Sequence, residues 1–75
     1  MAKRGRYSNE TKDQANLFVG MLGGNVEDAH GFAFERSMMF WDEVTEGERD
    51  EEDAVKATAV SNYLCYLSGK LQKQG

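Results

Sequence analysis

The chain has 75 residues and a formal net charge of −4, with 40% hydrophobic and 29% charged residues, no proline and one cysteine. A chain of this length holds one domain that buries only about 60% of the surface its unfolded form exposes, so stability rests on close helix packing or on a second chain. The lone Cys65 excludes an intrachain disulfide, one cysteine and one histidine (His30) cannot build a Cys/His zinc tetrahedron, and no apolar run approaches the roughly 20 residues of a membrane-spanning helix.

Residues 1–7 are basic and glycine-containing and are expected to form a flexible arm, followed by a single helical domain over 8–75. The start lacks the apolar core and small-residue cleavage site of a secretion signal, and a free thiol suits a reducing compartment, so a cytoplasmic chain is expected. A first helix is predicted over about 9–22. Ser8 or Asn9 serves as N-cap, Glu10 and Asp13 suit the positive end of the dipole, and Thr11, Ala15, Phe18 and Leu22 recur at steps of four, three and four as one buried stripe. Gly23-Gly24 supplies the left-handed residue that ends a helix, and Asn25 caps the next.

The second helix is predicted over about 26–45. Val26, Ala29, Ala33, Phe40 and Val44 share one side; Phe34, Met38 and Trp41 widen the apolar sector in one direction, Phe32 and Met39 in the other. Only a strip near Asp28, Glu35 and Asp42 is polar, so this helix is expected to be central or to form an interface. Gly47 then breaks the pattern, and a third helix is predicted over about 50–71. Acids at Asp50 to Asp53 and Lys70 and Lys73 near its end suit the macrodipole, and Ala57, Val60, Leu64, Leu67 and Leu71 form a heptad seam. A second stripe of Val55, Ala59, Asn62 and Tyr66, with Tyr63 beside it, lies opposite, and Cys65 falls between the two as a small buried or half-buried side chain. Absent proline and absent two-residue alternation, the fold class is all-α: three amphipathic helices in a small bundle, or a helical hairpin plus one helix.

Charge is distributed unevenly. Eleven of the thirteen acids lie between residues 27 and 53, where Arg36 and Arg49 are the only bases, which leaves that segment at −9. Two readings follow: solvated helix caps, or an acidic surface of Asp42, Glu43, Glu46, Glu48, Asp50 and Glu51 that docks on a basic protein. A homo-oligomer is expected through Phe32, Met39, Trp41, Tyr63 and Tyr66, since four consecutive large apolar residues from Met38 to Trp41 cannot all face one side of a helix.

The sequence from Asp42 to Asp53 resembles a twelve-residue calcium loop, with acids at its first, fifth, ninth and twelfth places and glycine at the sixth. Val44 stands where an oxygen ligand belongs and Arg49 where an apolar anchor belongs, so no calcium site is expected. Glu43-x-x-Glu46 ahead of a helix likewise resembles the magnesium-holding motif of helical nucleotide pyrophosphohydrolases, yet Ala54 to Ser68 contains no carboxylate to face it. No Gly-Lys-Ser/Thr phosphate loop and no nucleophile–base–acid set accompany His30 or Cys65. The expectation is therefore no enzyme, no metal and no cofactor, but a small acidic protein-binding modulator of the kind a phage or mobile-element accessory inhibitor would be. The alternative is a nucleic-acid-associated regulator contacting phosphate through Lys3, Arg4, Arg6 and Lys12, which the negative net charge disfavours.

Overall fold

The computed structural model describes residues 7–74, with side chains described from Tyr7 to Lys70. Residues 1–6 of the expected arm and the Leu71 side chain of the expected seam lie outside that range. Among the described residues the chain forms three α-helices and no strand: α1 Asn9–Met21, α2 Val26–Thr45 and α3 Glu51–Gln74.

The ends of the helices follow from local chemistry. Ser8 is the extended N-cap of α1, and its Oγ accepts a hydrogen bond from the Thr11 N–H at 3.1 Å. At the other end, Gly23 (φ 73°) and Gly24 (φ 85°) reverse the chain, the Gly23 N–H donating to the Gly20 carbonyl at 3.3 Å and the Gly24 N–H to Val19 at 2.8 Å. This Schellman closure makes Leu22 the C-cap, so α1 ends one residue before the expected boundary. Asn25 Oδ1 accepts from the Asp28 N–H at 3.0 Å and starts α2 where its sequence predicts. The end of α2 repeats the closure around Gly47 (φ 79°), with Gly47 N–H to Val44 at 3.0 Å and Glu48 N–H to Glu43 at 2.8 Å. α3 begins one residue later than expected and runs beyond residue 71, because Gln72-Lys73-Gln74 carries neither glycine nor proline to stop it.

α2 and α3 form an antiparallel hairpin joined by a short turn, and they share far more contact with each other than either does with α1. α1 lies across one flank of that hairpin. Its predicted stripe is buried at Thr11, Ala15 and Phe18, and the predicted seam of α3 is buried at Ala57, Val60 and Leu64. These stripes meet Ala29 and Ala33 of α2 in one cluster, with Val19, Leu22, Val26, Tyr63 and Leu67 packed at its edge.

This core is unusual in the size of its members. Among the described residues five of the eight buried apolar ones are alanine, and Leu64 is the only large side chain that is fully enclosed. Ser37 and Ser61 are also buried, and Ser37 satisfies its hydroxyl by donating to the Phe34 carbonyl at 2.7 Å. Small side chains let α2 and α3 approach closely, but they remove little apolar area from water, at about 25 cal/mol for each Å². The described chain is 18 Å across its thinnest direction, so no residue lies deeper than about two helix layers.

Close approach makes the α2–α3 seam sensitive to added volume. Ala33→Leu is expected to lower stability by about 1–3 kcal/mol, because three further carbons at a fully buried position force α2 away from the cluster. A urea titration checks this, and an unchanged midpoint would mean that the alanine line is not the packing seam.

α1 packs on the side of α3 that carries Val60 and reaches Lys56 on the adjoining side through Glu10, which leaves the far side of α3 open. Cys65 is accordingly exposed, correcting the expectation of a buried or half-buried thiol. The second stripe is open in the same way at Val55, Asn62 and Tyr66, whereas Ala59 and Tyr63 are half-buried.

Candidate functional site

The acidic turn is built by the close of α2, the left-handed Gly47 and the first turn of α3. Asp42, Glu46, Glu48, Asp50 and Glu51 are exposed around it. Glu43 is not free in the same sense: its Oε1 accepts a hydrogen bond from Arg49 Nε, and Arg49 Nη1 also reaches Asp53 Oδ2 at 3.4 Å. Of the six residues expected to face a partner, five form an open acidic rim and Glu43 belongs to the brace that holds the turn. The Glu43 hydrogen bond, ahead of the remaining charge interactions with Glu43 and Asp53, holds the Arg49 guanidinium above its ordinary pKa.

Arg49 also lies over the Phe40 ring, 3.8 Å from its centroid, and Arg36 lies over the same ring at 4.6 Å and over Phe18 at 5.2 Å. Two arginines therefore share one aromatic ring, a contact that stabilises each cation through the ring quadrupole. Arg36 has no carboxylate partner among the described residues. Burial, and then the neighbouring Arg49 charge, lower its pKa, with Asp53 opposing in part. This stack was the feature sequence reading missed; its available signal was the i, i+4 spacing of Arg36 and Phe40 together with the isolation of Arg36 and Arg49 as bases in an acidic segment.

The residues expected at an oligomer interface do not converge on one patch. At about 100° per residue, Phe32 and Met39 fall on the α1-facing flank of α2, while Phe34, Met38 and Trp41 fall on the other. Phe32 packs edge-on against Phe18 at 5.0 Å, whereas Met39 is 59% exposed. Trp41 Nε1 donates to Thr58 Oγ1 at 2.8 Å, and that hydroxyl donates to the Ala54 carbonyl at 2.9 Å, so the indole is pinned across the hairpin. Beside it Phe34 and Met38 remain 50% and 54% exposed with no core neighbour to cover them. Tyr63 sits between Tyr7 at 5.1 Å and the stacked ring of Tyr66 at 6.4 Å, away from the Trp41 flank.

The residues compared with a calcium loop do not form a loop: Asp42–Thr45 are the last turn of α2 and Glu51–Asp53 the first turn of α3. Among the described residues no three acidic, histidine or cysteine side chains gather around a common cation position. His30 is half-buried with its ring 6.4 Å from Phe34, and no nucleophile is hydrogen-bonded to it among the described contacts. No helix among the described residues is long and apolar enough to cross a membrane. No protein-family model matches this sequence, and neither curated proteins nor solved structures give a match.

Proposed function

We propose that this chain is a protein-binding modulator that docks on a basic protein surface, using the Phe34–Met38–Trp41 flank of α2 for contact and the acidic rim for steering. One observation carries the reading: among the described residues most buried apolar positions are alanine, while most of the large apolar side chains of α2 stand outside. Leu17, Met21, Phe32, Phe34, Met38, Met39, Trp41, Val55 and Tyr66 are all exposed, and five of these lie on α2. Burying an exposed Phe or Met contributes about 1.5–3 kcal/mol, so contiguous groups of them stabilise an association that the alanine core does not need. Charge names the partner's character. The flank ends beside a rim within the −9 segment, and complementary potential steers encounter with a positive surface and disfavours negative ones, nucleic acid included.

Tagged protein incubated with host lysate, with nuclease added in parallel, tests this proposal. The expected result is a basic partner retained after nuclease and lost in a Phe34→Ser/Met38→Ser variant that keeps its helix content. Release by nuclease, or retention by that variant, would overturn it, and loss only in a Lys3→Ala/Arg4→Ala variant would transfer the function to the basic start of the chain.

Without a partner, the same apolar flank is expected to drive self-association. Sedimentation at tens of micromolar should show a dimer or larger species that becomes monomeric in Phe34→Ser/Met38→Ser, consistent with a shared patch on both copies. A folded wild-type monomer at that concentration would remove the self-association expectation and leave the flank to a different protein.

A further inference from the structure

Between Lys12 and Lys70 the chain has only three bases, Arg36, Arg49 and Lys56, and all three line one cleft of about 380 Å³. The cleft lies between the start of α1 and the α2–α3 turn, and its apolar lining runs from Phe40 through Val55, Ala57 and Ala59 to Val60. Glu10 and Asp53 line the same cleft, so what sets it apart is one base, Arg36, that no carboxylate pairs among the described residues. We infer that the cleft binds a small organic carboxylate, with Arg36 holding the carboxylate and the Phe40–Val60 wall taking an apolar body. This inference does not depend on the protein-binding reading above.

The charge state of the ligand follows from the partners already present. Arg49 is engaged by Glu43 and Asp53, and Lys56 Nζ stands 3.8 Å from both Glu10 and Glu52. Arg36 alone has neither an ion pair nor a hydrogen bond among the described residues, although two aromatic rings hold its guanidinium in place. One cation without an ion pair, whose charge Asp53 offsets only in part, calls for one negative charge. A dianion would meet Glu10 and Asp53, which also line the cleft, and like charges at short range oppose it. A planar guanidinium matches a planar carboxylate through two parallel hydrogen bonds, and ring stacking has already restricted its motion, so less freedom is lost when the pair forms. The volume is at the small end of ligand sites, which limits the body to the size of one ring or a short chain.

Benzoate is the probe, with acetate and inorganic phosphate compared at equal ionic strength, and backbone amide resonances are the readout. Benzoate should produce saturable shifts at Arg36, Phe40, Arg49 and Val60. Acetate, lacking the apolar body, and phosphate, carrying more charge, should bind at least about tenfold more weakly, a difference of about 1.4 kcal/mol. Arg36→Gln should weaken benzoate by about tenfold or more, and Arg36→Lys, which keeps the charge without the fork, should fall between. Because Arg36 also packs on two rings, Ser8→Asp provides a variant that leaves packing intact: aspartate is an equally good N-cap, yet it adds a negative charge at the cleft wall and should weaken benzoate several-fold. No saturable shift in the wild type, phosphate binding as tightly as benzoate, or unchanged affinity in Ser8→Asp and in folded Arg36→Gln would each overturn the inference.

Discussion

Leu64→Ala is expected to leave the chain largely unfolded at room temperature. Leu64 has 0% exposure and is, among the described residues, the only large one enclosed on every side, at the point where the stripes of α1, α2 and α3 meet. Removing a buried leucine's outer carbons costs about 2–5 kcal/mol, part transfer energy and part residual cavity. A single small core rarely supplies more than about 3–5 kcal/mol in total, so the loss is comparable to the whole. Ala15, Ala29 and Ala33, which share its cluster, carry only methyl groups, too short to fill the gap. Leu17→Ala, at an exposed position on α1, should change stability by only about 0.5 kcal/mol and serves as the matched control. Far-ultraviolet circular dichroism with a urea titration separates the two. Wild-type helix content and midpoint in Leu64→Ala would place the stabilising contacts somewhere other than the three-helix junction.

The contrast between these leucines shows what sequence reveals in this chain and what it conceals. Caps and stops are local, and Ser8, Asn25, Gly23 and Gly47 stand where their chemistry places them because each acts on backbone groups within about one turn. The seam of α3 was equally legible, since Ala57, Val60 and Leu64 mark a single line at coiled-coil spacing. α2 was harder. Its apolar sector covers most of the circumference; of the side expected to share the core, Ala29 and Ala33 are buried and Val26, Phe40 and Val44 half-buried, but the buried line is completed by the polar Ser37 while the larger apolar residues on both flanks stay exposed. Which line of so broad a sector is buried depends on how tightly the side chains of all three helices interdigitate, which hydrophobic periodicity does not record. The candidate site divides in the same way. An acidic rim can be counted in the sequence, but the withdrawal of Glu43 into a brace with Arg49, and the meeting of Arg36 with Arg49 over Phe40, depend on how the turn folds back.

That distinction between rim and brace selects the residues for the second large effect, which is on association rather than stability. Glu46→Lys/Glu48→Lys changes the charge of the turn by four units while leaving Glu43, Arg49 and Gly47 in place. Neither side chain is buried, and the Schellman bonds of the turn use backbone atoms, so stability should move by only about 0.5 kcal/mol. Binding to the proposed basic partner should respond much more strongly. Steering by complementary charge raises association rates by about ten-fold or more at low salt and is screened over about 8 Å at physiological ionic strength. The reversed protein should therefore associate about tenfold more slowly at low salt and lose most of the salt dependence seen in the wild type, with the dissociation rate changed less because the apolar flank is untouched. Lys3→Ala/Arg4→Ala should leave both rates near their wild-type values. Association and dissociation measured over a salt series for all three proteins make the comparison. Equal association by the charge-reversed chain would reduce the rim to solvated helix caps, the role that the acidic first turn of α3 fills without any partner.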